Sequence, residues 1–174
     1  MITEYLEELS KVHKEISLQM ESIKESVRVV KSSNLVLTMG NGGSASTAQH
    51  FAQGLCDVGI RAICLTDNIS LLTAISNDES YAESLKSLVR LFSGDKGTVV
   101  VVISASGSSS NIIMAVNEAN RLKLGAIGLV GFGGGKAASI VTLPIILNSR
   151  DYGVIEDSHL SICHIICKLI EEEV

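Results

Sequence analysis

The chain has 174 residues, of which 46% are hydrophobic, 19% charged and 3% aromatic, and its net charge is −5. That much apolar material fills a single-domain core and argues against long disorder. The acidic balance, the absence of tryptophan and the lack of any Lys or Arg block argue against a nucleic-acid binder, and the longest apolar run, Val99 to Ile103, is too short to span a bilayer.

The N-terminus is acidic and amphipathic with no apolar signal-peptide core, so the expected location is cytoplasmic. Residues Ile2, Leu6, Leu9, Ile16, Met20, Ile23, Val27 and Val30 recur at spacings of three, four or seven. That seam predicts one long helix over 3–32. Its length favours residues 1–34 as an oligomerisation helix, and a helix folded back on its own domain is the alternative.

From Asn34 the pattern changes. The segments 35–39, 62–66, 98–104, 125–130 and 140–147 are short, β-branched and almost continuously apolar, as strands buried on both faces are. Helical stretches 44–55, 70–75, 81–92 and 109–122 separate them, and a last helix is expected from about Ile155 to Glu173. Strand–helix alternation predicts an α/β fold over 35–174, a doubly wound, flavodoxin-like parallel sheet of five strands between helices. The single proline, Pro144, marks the last strand as an edge strand. Cys163 and Cys167 lie one helical turn apart among isoleucines and read as core residues rather than a zinc pair.

In an open parallel sheet, ligands bind beyond the carboxyl ends of the strands. The first such loop is Gly40-Asn41-Gly42-Gly43-Ser44, with Ser44 at the expected N-cap. Its relaxed dinucleotide spacing lacks an acidic residue at the right distance, so no nucleotide cofactor is expected. The loop after the third strand reads Ser104-Ala105-Ser106-Gly107-Ser108-Ser109-Ser110-Asn111. Five hydroxyls around a glycine at a helix N-terminus exceed what one cap needs and read as a phosphate cradle. On the last helix Glu156 and Asp157 lie eight and seven residues before His164, close enough in helical phase to border one cleft. A carboxylate and an imidazole beside a phosphate pocket can shuttle a proton between neighbouring carbons.

Together, Gly40–Ser44, Gln49-His50-Phe51-Ala52, Leu72–Asp78, Ile103–Gly107 and Gly133–Lys136 resemble the sugar isomerase (SIS) superfamily, and within it the phosphoheptose isomerases. The resemblance implies a homotetramer with sites between subunits, a phosphosugar at the serine loop, and aldose–ketose isomerisation by a glutamate base and a histidine acid. Carried onto this chain, it implies phosphate or sugar contacts from Asn41, Gly42, Ser44, Asp78, Ser104, Ser106 and Ser109, with His164 as the catalytic histidine. Some members bind zinc at the same cluster. The family's base would stand four residues after His50, where this chain has Gly54, and the family's Arg-Ile-Gln is Val154-Ile155-Glu156. The phosphate loop's usual threonine is Ala105, and the segment after Gly54 is shorter than usual. Glu156 thus becomes the candidate base, and His50, Glu156 and His164 the candidate zinc ligands. The alternative is a non-catalytic tetramer that senses a phosphosugar or binds a protein, as a replication-initiator-associating member of the superfamily does.

Overall fold

The computed structural model describes residues 1–94 and 96–172. Among the described residues the chain forms helices α1 (Ile2–Ser17) and α2 (Met20–Lys31), strand β1 (Leu35–Gly40), α3 (Gly43–Asp57), β2 (Ala62–Cys64), α4 (Ile69–Asp78) and α5 (Tyr81–Phe92). These are followed by β3 (Thr98–Ser104), α6 (Ser110–Arg121), β4 (Gly125–Val130), a 3₁₀ turn at Ala137–Ser139, β5 (Leu143–Ile146) and α7 (Tyr152–Glu172).

The five strands pair in parallel in the order β2-β1-β3-β4-β5. Alternating side chains serve two cores, because successive residues of a strand point to opposite faces. Val36, Val99, Val101, Ile103 and Ile127 pack with α1, α2, α3 and α7, whereas Leu37, Met39, Val100, Val102 and Ala126 pack with α5 and α6. The doubly wound sheet expected from the sequence is therefore present, with Pro144 on an edge strand opposite Gly128. The chain leaves β1 toward β2 on one side and resumes at β3 on the other. That reversal opens a crevice beyond the carboxyl ends of β1 and β3, where the glycine loop and the serine loop lie.

The single helix expected over 3–32 is instead two helices, broken at Leu18 and Gln19. At the break the Gln19 side-chain amide donates to the Ile146 carbonyl at 2.6 Å and accepts the Ile146 N–H at 2.8 Å. The glutamine thus completes the hydrogen bonding of β5 at the sheet edge. Much of the apolar seam is satisfied within the chain: Val12, Ile16, Ile23, Val27 and Val30 are buried in the core that includes α7, while Ile2, Leu6, Leu18 and Met20 stay exposed. On the opposite layer, buried Glu118 of α6 accepts hydrogen bonds from Arg121 and Arg90, which hold its carboxyl down to about 2 and join α5 to α6.

Several boundaries differ from expectation. Strand β2 stops at Cys64, and β5 begins at Leu143, three residues later than expected and after the 3₁₀ turn at 137–139. Helix α7 begins three residues early, where Asp151 Oδ1 accepts the Val154 N–H at 3.0 Å, and its expected end at Glu173 lies outside the described residues. No described helix is long and apolar enough to cross a membrane.

Candidate active site

Ser44, expected as an N-cap, sits inside the first turn of α3, and Gly42 takes the cap position with φ +55°. A residue with a side chain is strained there, so the glycine is what lets β1 turn sharply into the helix. Ser44 is buried and its neighbour Asn41 is partly so. The register of β1 on β3, Gly40 opposite Ile103, brings this loop alongside the serine run.

Within the serine run, Ser104 Oγ accepts the Gly107 N–H at 3.1 Å and Ser106 Oγ accepts the Ser108 N–H at 3.2 Å. Ser109 occupies the N-cap of α6, so the free N–H groups of that helix and the seryl hydroxyls converge on one place. The glycines at 133–135 explain themselves here. A Cβ on Gly107 would strike the Gly134 carbonyl, and one on Gly135 would strike the Ser106 carbonyl, so the two loops are in backbone contact.

Asn41, Ser44, Ser104, Ser106 and Ser109 line one cavity of about 100 Å³, closed on its other wall by Tyr152 and Glu156 of α7. Glu156 is the carboxylate of that cavity and lies against the first turn of α3, where a Cβ on Gly43 would collide with it. Tyr152 packs edge-on to Phe132 at 4.8 Å between ring centroids. Asp78 is not part of this cavity: it ends α4, exposed, with its Oδ1 accepting from Asn77. Gly42 shapes the turn and does not line the cavity.

Sequence reasoning missed Asn111 and Tyr81. Asn111 is buried and exchanges two amide hydrogen bonds with Asn41, and the Tyr81 hydroxyl donates to Asn41 Oδ1 at 2.6 Å. The signal available for Asn111 was its place at the end of the serine run, beside a strand whose following loop also carries an asparagine.

His164 and Glu156 line different cavities of the chain. His164 meets His50 edge-on, with ring centroids 5.1 Å apart, in a second cavity of about 390 Å³ that Gly54, Asp57, Cys163 and Cys167 also line. A Cβ on Gly54 would lie 3.2 Å from Cys167 Sγ, so sulfur covers the position where the resembled family carries its glutamate. Asp157, expected to align with His164, accepts a hydrogen bond from the Tyr5 hydroxyl at 2.6 Å, and that bond first, then desolvation, pushes the phenol up to about 12. Among the described residues no group of three or more His, Cys, Asp or Glu could hold a metal ion. Within one chain His50, Glu156 and His164 are thus not gathered into such a group: Glu156 lines one cavity, and His50 and His164 line another. The four cysteines are free thiols; burial pushes Cys163 well above the usual thiol range and Cys167 to about 11, which fits packing rather than nucleophilic roles.

Comparison with known proteins identifies the family and the fold. The SIS domain family model matches residues 2–131. The phosphoheptose isomerase of Clostridium acetobutylicum is 37% identical over 162 residues, covering 89% of this chain and 82% of the relative. That of Geobacter metallireducens is 39% identical over 152 residues, covering 84% and 80%. The structure of a phosphoheptose isomerase from Francisella tularensis superposes with a TM-score of 0.92 at 28% identity, over 98% of this chain and 96% of that one.

Proposed function

The chain belongs to the SIS-domain family, among the phosphoheptose isomerases, and from that membership we propose that it interconverts a ketose phosphate and an aldose phosphate, most simply sedoheptulose 7-phosphate. The observation that carries the reading is the cavity in which seryl hydroxyls, the α6 N-terminus and one carboxylate converge. Hydroxyl and N–H donors hold the phosphate, and the helix dipole favours its charge. With the phosphate anchored, the reacting carbons are positioned against protein groups before chemistry begins.

Isomerisation moves one hydrogen between C1 and C2 without a redox cofactor. Glu156 takes the proton from the hydroxyl-bearing C1 of the ketose as the C2 carbonyl oxygen gains one from an acid, giving an enediol. Returning the carbon proton to C2 while O1 loses its own yields the aldose. His164 is the acid of this scheme, and it either protonates or polarises the oxygen. That His164 and Glu156 line different cavities of one chain supports a working centre built from neighbouring subunits, in the homotetramer that the family resemblance implies. The exposed Ile2, Leu6, Leu18 and Met20 of the N-terminal helices supply apolar surface for that assembly. Free thiols suit a reducing compartment, which supports a cytoplasmic enzyme.

Proton NMR of sedoheptulose 7-phosphate in deuterated buffer tests the reading. Conversion, or exchange of the C1 hydrogens, is expected. Thermal stabilisation by the sugar phosphate without exchange would make the protein a sensor, and neither response would remove this ligand altogether.

A further inference from the structure

Asn41 sits on the wall of the serine cavity with its side-chain amide almost fully engaged by protein. Its Nδ2 donates to Asn111 Oδ1 at 2.9 Å, while its Oδ1 accepts from Asn111 Nδ2 at 2.8 Å and from the Tyr81 hydroxyl at 2.6 Å. A reciprocal amide pair is symmetric and would hold in either orientation if nothing else fixed it. Here a backbone group fixes it: the Ile112 N–H donates to Asn111 Oδ1 at 3.0 Å, which identifies the oxygen of Asn111 and hence the nitrogen of Asn41.

An amide oxygen has two acceptor sites and an amide nitrogen two donor hydrogens. Both acceptor sites of Asn41 are filled, and one of its two N–H groups is used. What remains is a single N–H beside the cavity. We propose that Asn111 and Tyr81 are positioning residues that make Asn41 an obligate hydrogen-bond donor, selecting an acceptor oxygen of the bound sugar phosphate. This rests on the phosphosugar reading of the same cavity.

The two partners come from different elements, which is why the arrangement is specific. Asn111 is buried in the first turn of α6, behind the serine run, and Tyr81 opens α5. Tyr81 is 55% exposed, so its hydroxyl is held by Asn41 rather than by burial. Losing that hydroxyl frees one acceptor site of Asn41 and loosens the donor without opening the core.

The test is a double-variant cycle with the parent, Tyr81→Phe, Asn41→Ala and the two combined, reading calorimetric affinity for sedoheptulose 7-phosphate together with KM and kcat. A donor fixed before the ligand arrives holds ground state and transition state alike, so Tyr81→Phe should raise Kd and KM up to about tenfold and leave kcat within about twofold. In the Asn41→Ala background the same change should add nothing. An additive loss, or an unchanged KM in Tyr81→Phe, overturns the proposal. A parent that neither binds nor converts the sugar counts against the functional reading instead. The positioning role is then decided in the ligand-free protein by NMR of the Asn41 side-chain amide. Faster hydrogen exchange in Tyr81→Phe supports it and equal exchange overturns it.

Discussion

The Glu156 carboxylate stands in the space that a side chain at position 43 would need. Gly43 is the first residue of α3, and its backbone is ordinary helix, so it is the neighbouring carboxylate rather than a special φ that calls for glycine. The carboxylate is thereby held against the N-terminus of α3, on the wall of the serine-lined cavity.

Adding a methyl at this position displaces the carboxylate, since the colliding atoms are the far end of a flexible side chain. Gly43→Ala should therefore keep the fold and lower kcat by about a hundredfold, the usual cost of moving a reacting group by about an ångström. In a Glu156→Ala background the three atoms nearest to that methyl are gone. There the same substitution should raise stability by up to about 1 kcal/mol through helix propensity. Steady-state rates and thermal melts of the four proteins decide the matter; an unchanged rate in Gly43→Ala would remove Glu156 from the chemistry.

Glu156→Gln separates charge from size. It keeps the volume beside Gly43 and restores the neutral amide of the resembled family, but it cannot accept a proton from carbon. Turnover should be lost while thermal stabilisation by sedoheptulose 7-phosphate persists, because the seryl hydroxyls and the α6 N-terminus are untouched. Undiminished turnover would show that the base is elsewhere.

The sheet was legible because buried parallel strands leave unbroken apolar runs, and the serine-lined cavity because Ser104, Ser106 and Ser109 fall close together in one loop after a strand. The break at Gln19 was not, since its cause is a pair of hydrogen bonds to a residue 127 positions away. The division of Glu156 and His164 between two cavities escaped for a different reason. Phase places two side chains around an axis, yet eight residues also separate them by about 12 Å along it.

Gln19 makes a prediction of its own. Gln19→Ala leaves the N–H and carbonyl of Ile146 without their side-chain partner on the outer edge of β5. Stability should fall by about 1–2 kcal/mol, and the freed edge should increase self-association. Urea midpoints and light scattering read both effects. If neither moves, water satisfies that edge and the glutamine only marks the end of α1.

His159 sets the acid behaviour of the fold. It is fully buried on α7, and neither ring nitrogen has a hydrogen-bond partner. Desolvation pushes its folded-state value down to about 3, against an opposing pull from the Val130 backbone. The unfolded chain takes up this proton near pH 6.5 while the folded chain resists it until about pH 3, so stability is complete above 6.5 and drains away as pH falls between those values. The slope is about 1.4 kcal/mol per pH unit, or roughly 2 kcal/mol between pH 6.5 and 5. Glu118 adds to acid lability only lower down, from its ordinary value of 4.5 toward about 2. His159→Leu should therefore flatten the dependence between pH 6.5 and 5, and below that leave the loss that Glu118 contributes. Unfolding free energies of parent and variant at pH 7 and pH 5 measure the difference. Equal slopes would mean that the folded protein accepts the proton on His159 at little cost.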